Sequence, residues 1–520
     1  MNYQVESFNK WLYPDDIVSE TPEVSKDLIA PKNGFASFQL LLNGCTIGEK
    51  ISCSICGNGA FFAEFYREVD VSVSMNTGVH GFTADYEIAK EYVTKKAPFR
   101  VYDALEPISG TVVKNTTEAL YISFKIDESA ITGEYSCTVC IEIGTEKIEI
   151  PVKIEIIDTV LPKETLYITN WYSIVSMAKS HGQKMWSDQH WELIEKYGKV
   201  MRRGRQNVFW ITWEMVVSSI DEKGNYIFDF SRAKKLIKMY LGMGFTVIEG
   251  CPLCGRDSWE DDKFKINAPD GRYEAMSAQG YKFIVQFLKA WKELLEENGW
   301  YKMLIQHVGD EPHERCSAEY RILAGIVRKC LPGVMLIEAV ETYELRGAID
   351  IWVPKNDYYS RNIEELEKLR ALGDKIWFYT CCIPGGFYMN RLLDIPLLRT
   401  RFLHWGNFKY NIEGFLHWGL NHWRQDQNPF EESCPLNGPS NHLPAGDTHI
   451  VYPGNNEPWL SMRLEQMRAG AEDFELLSLL AKKDSKRADE IVGECFFAFD
   501  KCISNAEEFD ITHKKLLKAL

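Results

Sequence analysis

Met303-Leu-Ile-Gln-His307-Val-Gly-Asp310-Glu311-Pro312 is a short apolar run that ends on two adjacent carboxylates. The segments on either side of it, 273–298 and 318–330, carry apolar residues at helical spacing. A buried strand between two amphipathic helices is one step of a βα repeat. Working outward, the same rhythm recurs in Tyr167-Ile-Thr-Asn-Trp, Asn207-Val-Phe-Trp-Ile-Thr, Thr246-Val-Ile-Glu, Val334-Met-Leu-Ile-Glu, Ile349-Asp-Ile-Trp-Val, Lys375-Ile-Trp-Phe-Tyr-Thr and Ile412-Glu-Gly-Phe-Leu-His-Trp. Further helical patterns lie at 191–203, 231–243, 363–372 and 397–409, while the fifth connection, 341–348, is short and makes the weakest unit. Eight such strands predict a (β/α)8 TIM barrel rather than an open doubly wound sheet. No Gly-x-Gly-x-x-Gly fingerprint, phosphate loop or His-Glu-x-x-His is present, which sets aside the usual nucleotide and zinc-protease chemistries.

The chain before residue 160 has a different pattern. Phe35-Ala-Ser-Phe-Gln-Leu-Leu-Leu, Ala119-Leu-Tyr-Ile-Ser-Phe-Lys-Ile and Lys147-Ile-Glu-Ile-Pro-Val-Lys-Ile-Glu-Ile-Ile alternate or run short between Gly, Asn and Pro, which predicts an all-β sandwich. Leu161-Pro162 stops the last ladder. After the eighth strand, a stretch rich in Asn, Pro and Gly (421–458) leads into a helical tail that starts at Leu460. The expected division is a β-sandwich over 1–160, a catalytic barrel over 161–424, and a long loop with C-terminal helices packed on the barrel over 425–520. A length of 520 residues fits such a multidomain chain.

Composition narrows the partner. The formal charge of −15 opposes nucleic acid and anionic membranes, and no apolar run approaches the ~18 residues of a membrane helix. The start of the chain has no basic region followed by an apolar run, so a cytoplasmic location is expected. Aromatic residues make up 13% of the chain, which suits a neutral ligand that stacks on rings, a sugar first of all. Three C-x-x-C pairs, Cys53/Cys56, Cys137/Cys140 and Cys251/Cys254, invite a metal or redox reading. Cys137 and Cys140 lie in a strand-like run, where residues three apart face opposite ways and cannot share one ion. Buried, reduced thiols are the expectation for all three, with Cys251/Cys254 nearest a site loop. Calcium-loop spacing is absent, and neither a metal nor a cofactor is expected. The oligomeric state stays open.

In a barrel, chemistry gathers where strands end at their C-termini, which singles out Asp310 and Glu311. Two adjacent carboxyls can divide the work, one ionised and the other a general acid with a raised pKa. A nucleophile and acid acting across a glycosidic bond stand ~5–9 Å apart, usually on different strands. Neighbours suit a sugar that supplies its own nucleophile: a 2-acetamido oxygen attacks C1, Asp310 orients the amide, and Glu311 protonates the leaving oxygen and later activates water. The plain alternative is an Asp-Glu pair capping the next helix.

Val-Gly-Asp310-Glu311-Pro312 after a barrel strand, Val160-Leu-Pro162 closing a β-module, Gly446-Asp-Thr-His-Ile-Val-Tyr-Pro-Gly454, and Ser461-Met-Arg-Leu-Glu-Gln-Met-Arg-Ala-Gly-Ala-Glu-Asp-Phe-Glu-Leu-Leu together resemble glycoside hydrolase family 123 and its relatives carrying the domain of unknown function 4091. The resemblance spans nearly the whole chain. It implies retaining exo-hydrolysis of β-linked N-acetylgalactosamine through an oxazolinium ion, with Asp310 assisting the acetamido group and Glu311 as acid/base.

Several other positions are candidates for substrate contact. Tyr379 is placed to donate to the acetamido oxygen, as a tyrosine does in similar hydrolases, and Trp418 and Trp171 to floor a pyranose. Asn170, Asn207 and Arg256 lie on or after early strands as partners for sugar hydroxyls, and His307, three residues before the pair, is a candidate for substrate contact, for holding the pair in place, or for a satisfied place in the core. Asp447 and Tyr452, in the family-like loop, are expected to fold back over the site. Two rivals stay open: a glycosidase on an N-acetylglucosaminide or on a sugar lacking the acetamido group, the latter pairing Glu311 with Glu249 or Glu338, and a non-catalytic carbohydrate-binding protein. The expected partner is a glycan, a glycolipid oligosaccharide or a small glycoside.

Overall fold

The computed structural model describes every residue except 58, 60 and 425. Its N-terminal part is two sheets packed face to face. The larger orders Asn2–Ser7, Phe35–Asn43, Thr117–Ile126, Phe61–Val73, Phe99–Pro107, Pro458–Ser461 and Tyr452–Pro453; the smaller orders Lys26–Lys32, Glu146–Val160, Gly133–Ile143 and Ile51–Cys56. In Glu146–Val160, Ile148, Ile150, Val152, Ile154 and Ile156 are buried while most residues between them face outward, so the period-two pattern becomes the inner face. That face meets Phe38, Leu40, Leu120, Ile122 and Phe124 of the larger sheet.

The barrel follows. Its parallel strands are Tyr167–Asn170, Val208–Ile211, Val247–Gly250, Leu304–Gln306, Met335–Ala339, Ile351–Val353, Lys375–Tyr379 and Gly414–His417, one for each segment expected from the sequence. Ladders join consecutive strands from the second to the eighth and return from the eighth to the first. The first and second strands share no ladder among the described residues, and side chains close this seam. Asn207 Nδ2 donates to the Leu166 carbonyl (3.0 Å), and its Oδ1 accepts from the Ile168 amide (3.0 Å). Val208, Ile305, Ile337, Val353, Trp377 and Leu416 fill the interior. Gly414 makes room for Trp377, since a Cβ there would sit 2.2 Å from the indole. The fifth connection holds only the short turn Tyr343–Leu345.

One boundary differs from expectation. The helix Met462–Lys483 packs on Leu398–Lys409, the helix of the seventh unit, and its Glu465 pairs at 2.6 Å with Arg203 at the end of the first-unit helix Asp188–Arg203. It is therefore the barrel's eighth helix, and the barrel runs on to residue 483 rather than stopping at 424. Residues 425–461 are an insertion between the eighth strand and its helix. Two of their strands join the sandwich sheet, so this segment belongs to both units rather than only covering the barrel. The helix is buried almost all round and shows no amphipathic stripe, which hid its place in the repeat.

Candidate active site

Asp310 and Glu311 leave the fourth strand at the barrel's C-terminal face. Glu311 has φ of 45°, a left-handed conformation that costs a non-glycine residue about 1–3 kcal/mol. The kink breaks the extended alternation that sends neighbouring side chains to opposite faces. Two contacts hold it. Arg256 Nη2 donates to the Glu311 carbonyl (2.8 Å), and the Tyr379 hydroxyl donates to Glu311 Oε1 (2.5 Å). Asp310 opens into a cleft of about 750 Å³ whose walls include Trp171, Trp210, Thr212, Trp213, Glu214 and His422. A cleft of this size takes one or two sugar rings. The protein crowding around Asp310, then the charges of Glu311 and Glu338, push its carboxyl up to about 8. Asp310 thus keeps its proton at neutral pH.

Behind the pair lies a buried ion triad. His307 Nε2 donates to Glu249 Oε1 (2.8 Å) and Nδ1 to Glu338 Oε1 (2.9 Å), with all three side chains sealed from solvent. Burial alone would lower the imidazole, but Glu338 and Glu249 outweigh it and push it up to about 10, so His307 is a cation. Glu338 Oε2 also accepts from the Val308 and Gly309 amides (3.2 and 3.3 Å) and the Tyr320 hydroxyl (2.8 Å). Glu249 accepts from Thr169 Oγ1 (2.6 Å) and Trp171 Nε1 (2.8 Å). The triad therefore fixes the backbone that presents Asp310. His307 positions the pair and is too buried to touch a sugar, which corrects its expected contact role.

Trp171 and Trp418 both stand at the site. Trp171 stacks flat on Trp210, with centroids 4.6 Å apart and planes 2° apart, and meets the His307 ring edge-on. Trp418 is half-buried, and its indole donates to Asp447 Oδ1 (3.2 Å). Burial pushes Asp447 up to about 7 against the pull of Arg391, the Trp418 hydrogen bond and Arg463, and its Oδ2 has no partner among the described residues. Asp447 is a buried support for Trp418 and not a cover over the site. Burial, then the charge of Glu311, raise the Tyr379 phenol well above its ordinary value, so it stays a neutral donor.

Three expected sugar contacts are placed elsewhere, and a fourth, Arg256, stands at the site but faces the backbone. Asn207 precedes its strand and staples the opposite end of the barrel. Asn170 is buried, its Nδ2 donating to Gln206 (3.1 Å) and its Oδ1 accepting from Arg391 (2.8 Å), so nothing remains for a ligand. Arg256 is turned to the backbone beside the pair, donating to the carbonyls of Glu311, Asp310 and Trp259. Tyr452 is fully buried at the sandwich, donating to Asp103 Oδ2 (2.7 Å) beside Arg463. Trp210 and Trp213 were missed. Trp210 alternates with Phe209 and Ile211, which face the helices, and that period marks it as inward-facing near the top of its strand. Burial holds His422 down to about 4, so it is neutral.

Among the described residues no group of three or more His, Cys, Asp or Glu side chains is placed to hold a metal ion, and no helix is long and apolar enough to cross a membrane. The fourteen cysteines are free. Cys254 Sγ contacts the Val308 carbonyl (3.1 Å), giving the Cys251/Cys254 pair a packing role beneath the site.

Residues 171–480 match the family model of the glycoside hydrolase 123 catalytic domain. The chain belongs to glycoside hydrolase family 123. The matched span ends inside the eighth helix, in keeping with a barrel that extends beyond the insertion; the domain of unknown function 4091 is not part of the match. This family 123 hydrolase shares its fold with a family 123 glycoside hydrolase from Clostridium perfringens described for glycolipid glycan hydrolysis, at a TM-score of 0.73 and 15% identity, covering 100% of this chain and 96% of that one. Weaker likenesses include a β-D-glucuronidase from Dictyoglomus thermophilum (TM-score 0.36, 10% identity, 90% of this chain and 97% of that one) and an endo-β-1,4-mannanase from Thermotoga petrophila (TM-score 0.39, 9% identity, 60% and 77%). No curated protein matches it. Membership makes the protein a glycosidase, and its substrate a glycan.

Proposed function

We propose that this family 123 hydrolase is a retaining exo-glycosidase that releases terminal β-linked N-acetylgalactosamine from glycans or glycolipid oligosaccharides, the substrate's own acetamido oxygen acting as nucleophile. The observation that carries this reading is the fate of the carboxylates. Glu249 and Glu338, the strand-end groups suited to a separate nucleophile, are sealed off and bound to His307, whereas Asp310 lines the cleft and Glu311, next to it in the chain, accepts from the Tyr379 hydroxyl. Such a pair suits an internal nucleophile and leaves little for a plain galactoside.

The proton on Asp310 gives the steps their order. A substrate amide N–H donated to Asp310 stabilises its carboxylate and moves the proton to Glu311. The acetamido oxygen then attacks C1, the C1–O bond breaks, and the leaving oxygen takes the Glu311 proton. Glu311, now a carboxylate, accepts a proton from water as that water attacks C1 and reopens the oxazolinium ring. The Tyr379 hydroxyl, poised on Glu311 in the free protein, is within reach of the developing charge once the carboxylate takes the leaving oxygen. The stacked Trp171 and Trp210 and the half-buried Trp418 supply apolar surface for a pyranose face. The choice of N-acetylgalactosamine over N-acetylglucosamine rests on the family resemblance.

Hydrolysis of aryl β-N-acetylgalactosaminide by Asp310→Asn and Glu311→Gln tests the assignment. Each variant is expected to lose about 10²–10⁴-fold in kcat. Near-wild-type rates in both, or faster turnover of an aryl β-galactoside than of its N-acetyl counterpart, would refute it.

A further inference from the structure

Away from the cleft, a groove of about 570 Å³ lies between the sandwich and the loop that links the seventh strand to its helix. Residues 396–399 line it together with Trp11, Tyr92, Phe387 and Lys501, and it shares no lining residue with the catalytic cleft. Arg399, only 7% exposed, makes no ion pair among the described residues. Its single hydrogen bond runs from Nη1 to the Gly386 carbonyl (2.7 Å). A guanidinium has five N–H donors, and taking its charge out of water costs several kcal/mol unless an anion compensates. Asp394, the buried carboxylate whose field reaches Arg399, is already engaged by the Thr77 amide and hydroxyl (both 2.7 Å) and by Asn76 Nδ2 (3.2 Å).

Two further features converge on Arg399. The helix Leu398–Lys409 begins at the groove with no side-chain cap, and the amides of Leu397 and Leu398 meet no acceptor among the described residues. Free amides at a helix start, with the helix dipole behind them, favour an anion. Phe387, 48% exposed, stands edge-on to Tyr92 (5.7 Å) and 5.9 Å from the guanidinium. Glu91 and Asp500 also line the groove, but on its exposed rim, where water and salt screen them.

The geometry points to a second binding site, for a carboxylate-bearing sugar unit: Arg399 and the free amides take the carboxylate, and Phe387 takes the apolar face of the pyranose. The site is independent of the hydrolytic reading. It holds an acidic sugar unit of a glycan at a place separate from the catalytic cleft.

Thermal midpoints of the full-length protein with glucuronate, methyl glucoside or inorganic phosphate, at matched ionic strength, test the site. A ligand that binds only the folded protein raises the midpoint. The expected result is a rise with glucuronate, none with methyl glucoside, and loss of the rise in Arg399→Met. Removing an uncompensated buried charge should leave the unliganded midpoint of Arg399→Met at or above wild type, and hydrolysis of a neutral aryl glycoside unchanged. Phe387→Ala, altering an exposed side chain, should weaken the glucuronate effect several-fold. A large fall in the unliganded midpoint of Arg399→Met would make the guanidinium a structural element and overturn the proposal. A glucuronate rise that survives in Arg399→Met, or a response to phosphate alone, would overturn it as well.

Discussion

At the residue scale, the clearest lesson is direction along a strand. Asp310, Glu311, Tyr379 and Trp418 lie at or just past strand ends, and that position was legible because a parallel barrel keeps its chemistry at one face. Asn207 precedes its strand, so the same rule assigns it to the opposite face, where it closes the seam between the first two strands. Asn207→Ala should therefore destabilise the fold by roughly 1–3 kcal/mol for each backbone group left unpaired, while KM of the folded enzyme stays unchanged; denaturant titration together with initial rates separates this from a lost sugar contact. The engagement of Asn170 with Gln206 and Arg391 was not legible, since a chain gives no warning of which buried partner will consume an amide. The raised carboxyl of Asp310 also sets a pH dependence. The reaction requires one proton on the pair, and a pKa pushed up to about 8 keeps it there through neutral pH. The kcat/KM profile should fall as pH rises through about 8; a profile flat to pH ~10 would contradict a proton held at Asp310.

At the scale of elements, the eighth helix explains why the C-terminal motif has its composition. Arg463 pairs with Asp103 of the sandwich (2.9 Å), Glu465 with Arg203 and Arg468 (2.6 and 3.0 Å), Arg468 with Glu472 (2.8 Å), and Asp473 with Arg401 (2.7 Å). Glu475 caps the start of the first strand by accepting from the Thr165 amide (2.6 Å). Gly470 lies against the Arg401 carbonyl, 2.4 Å from where a Cβ would sit. The motif is thus a set of internal ion pairs that lock the helix between barrel and sandwich, and of its charges Arg463 acts on the site only through the field it exerts on Asp447. Burial alone would raise Glu465, but Arg203 and Arg468 hold it at about 2. Because that pKa is depressed, the stabilisation is present above the ordinary carboxylate value near ~4.3 and is lost as pH falls through about 2. Glu465→Gln removes the carboxylate that Arg203 and Arg468 share, leaving Arg203 with Glu64 and Arg468 with Glu472, and a loss of up to about 3–5 kcal/mol is expected in equilibrium unfolding at neutral pH.

At the scale of the whole molecule, the sandwich and barrel were legible as separate patterns, period two before residue 160 and repeated βα units after it. Their union was not. The insertion 425–461 sends Tyr452–Pro453 and Pro458–Ser461 back to the sandwich sheet across more than 300 residues of chain, and sequence periodicity carries no information about such a long return. The eighth helix then follows from Ser461, whose hydroxyl caps it by accepting from the Leu464 amide (3.0 Å). The consequence for function is a rigid frame: the sandwich braces the eighth helix, that helix completes the barrel, and the barrel presents one carboxylate pair beside an aromatic wall. The central claim is that the nucleophile comes from the substrate and not from the frame. Aryl β-N-acetylgalactosaminides bearing zero to three fluorines on the acetyl group test it directly, because fluorine drains electron density from the acetamido oxygen. The account predicts that kcat/KM of the wild-type enzyme falls steeply and progressively with each fluorine; equal rates across the series would contradict it.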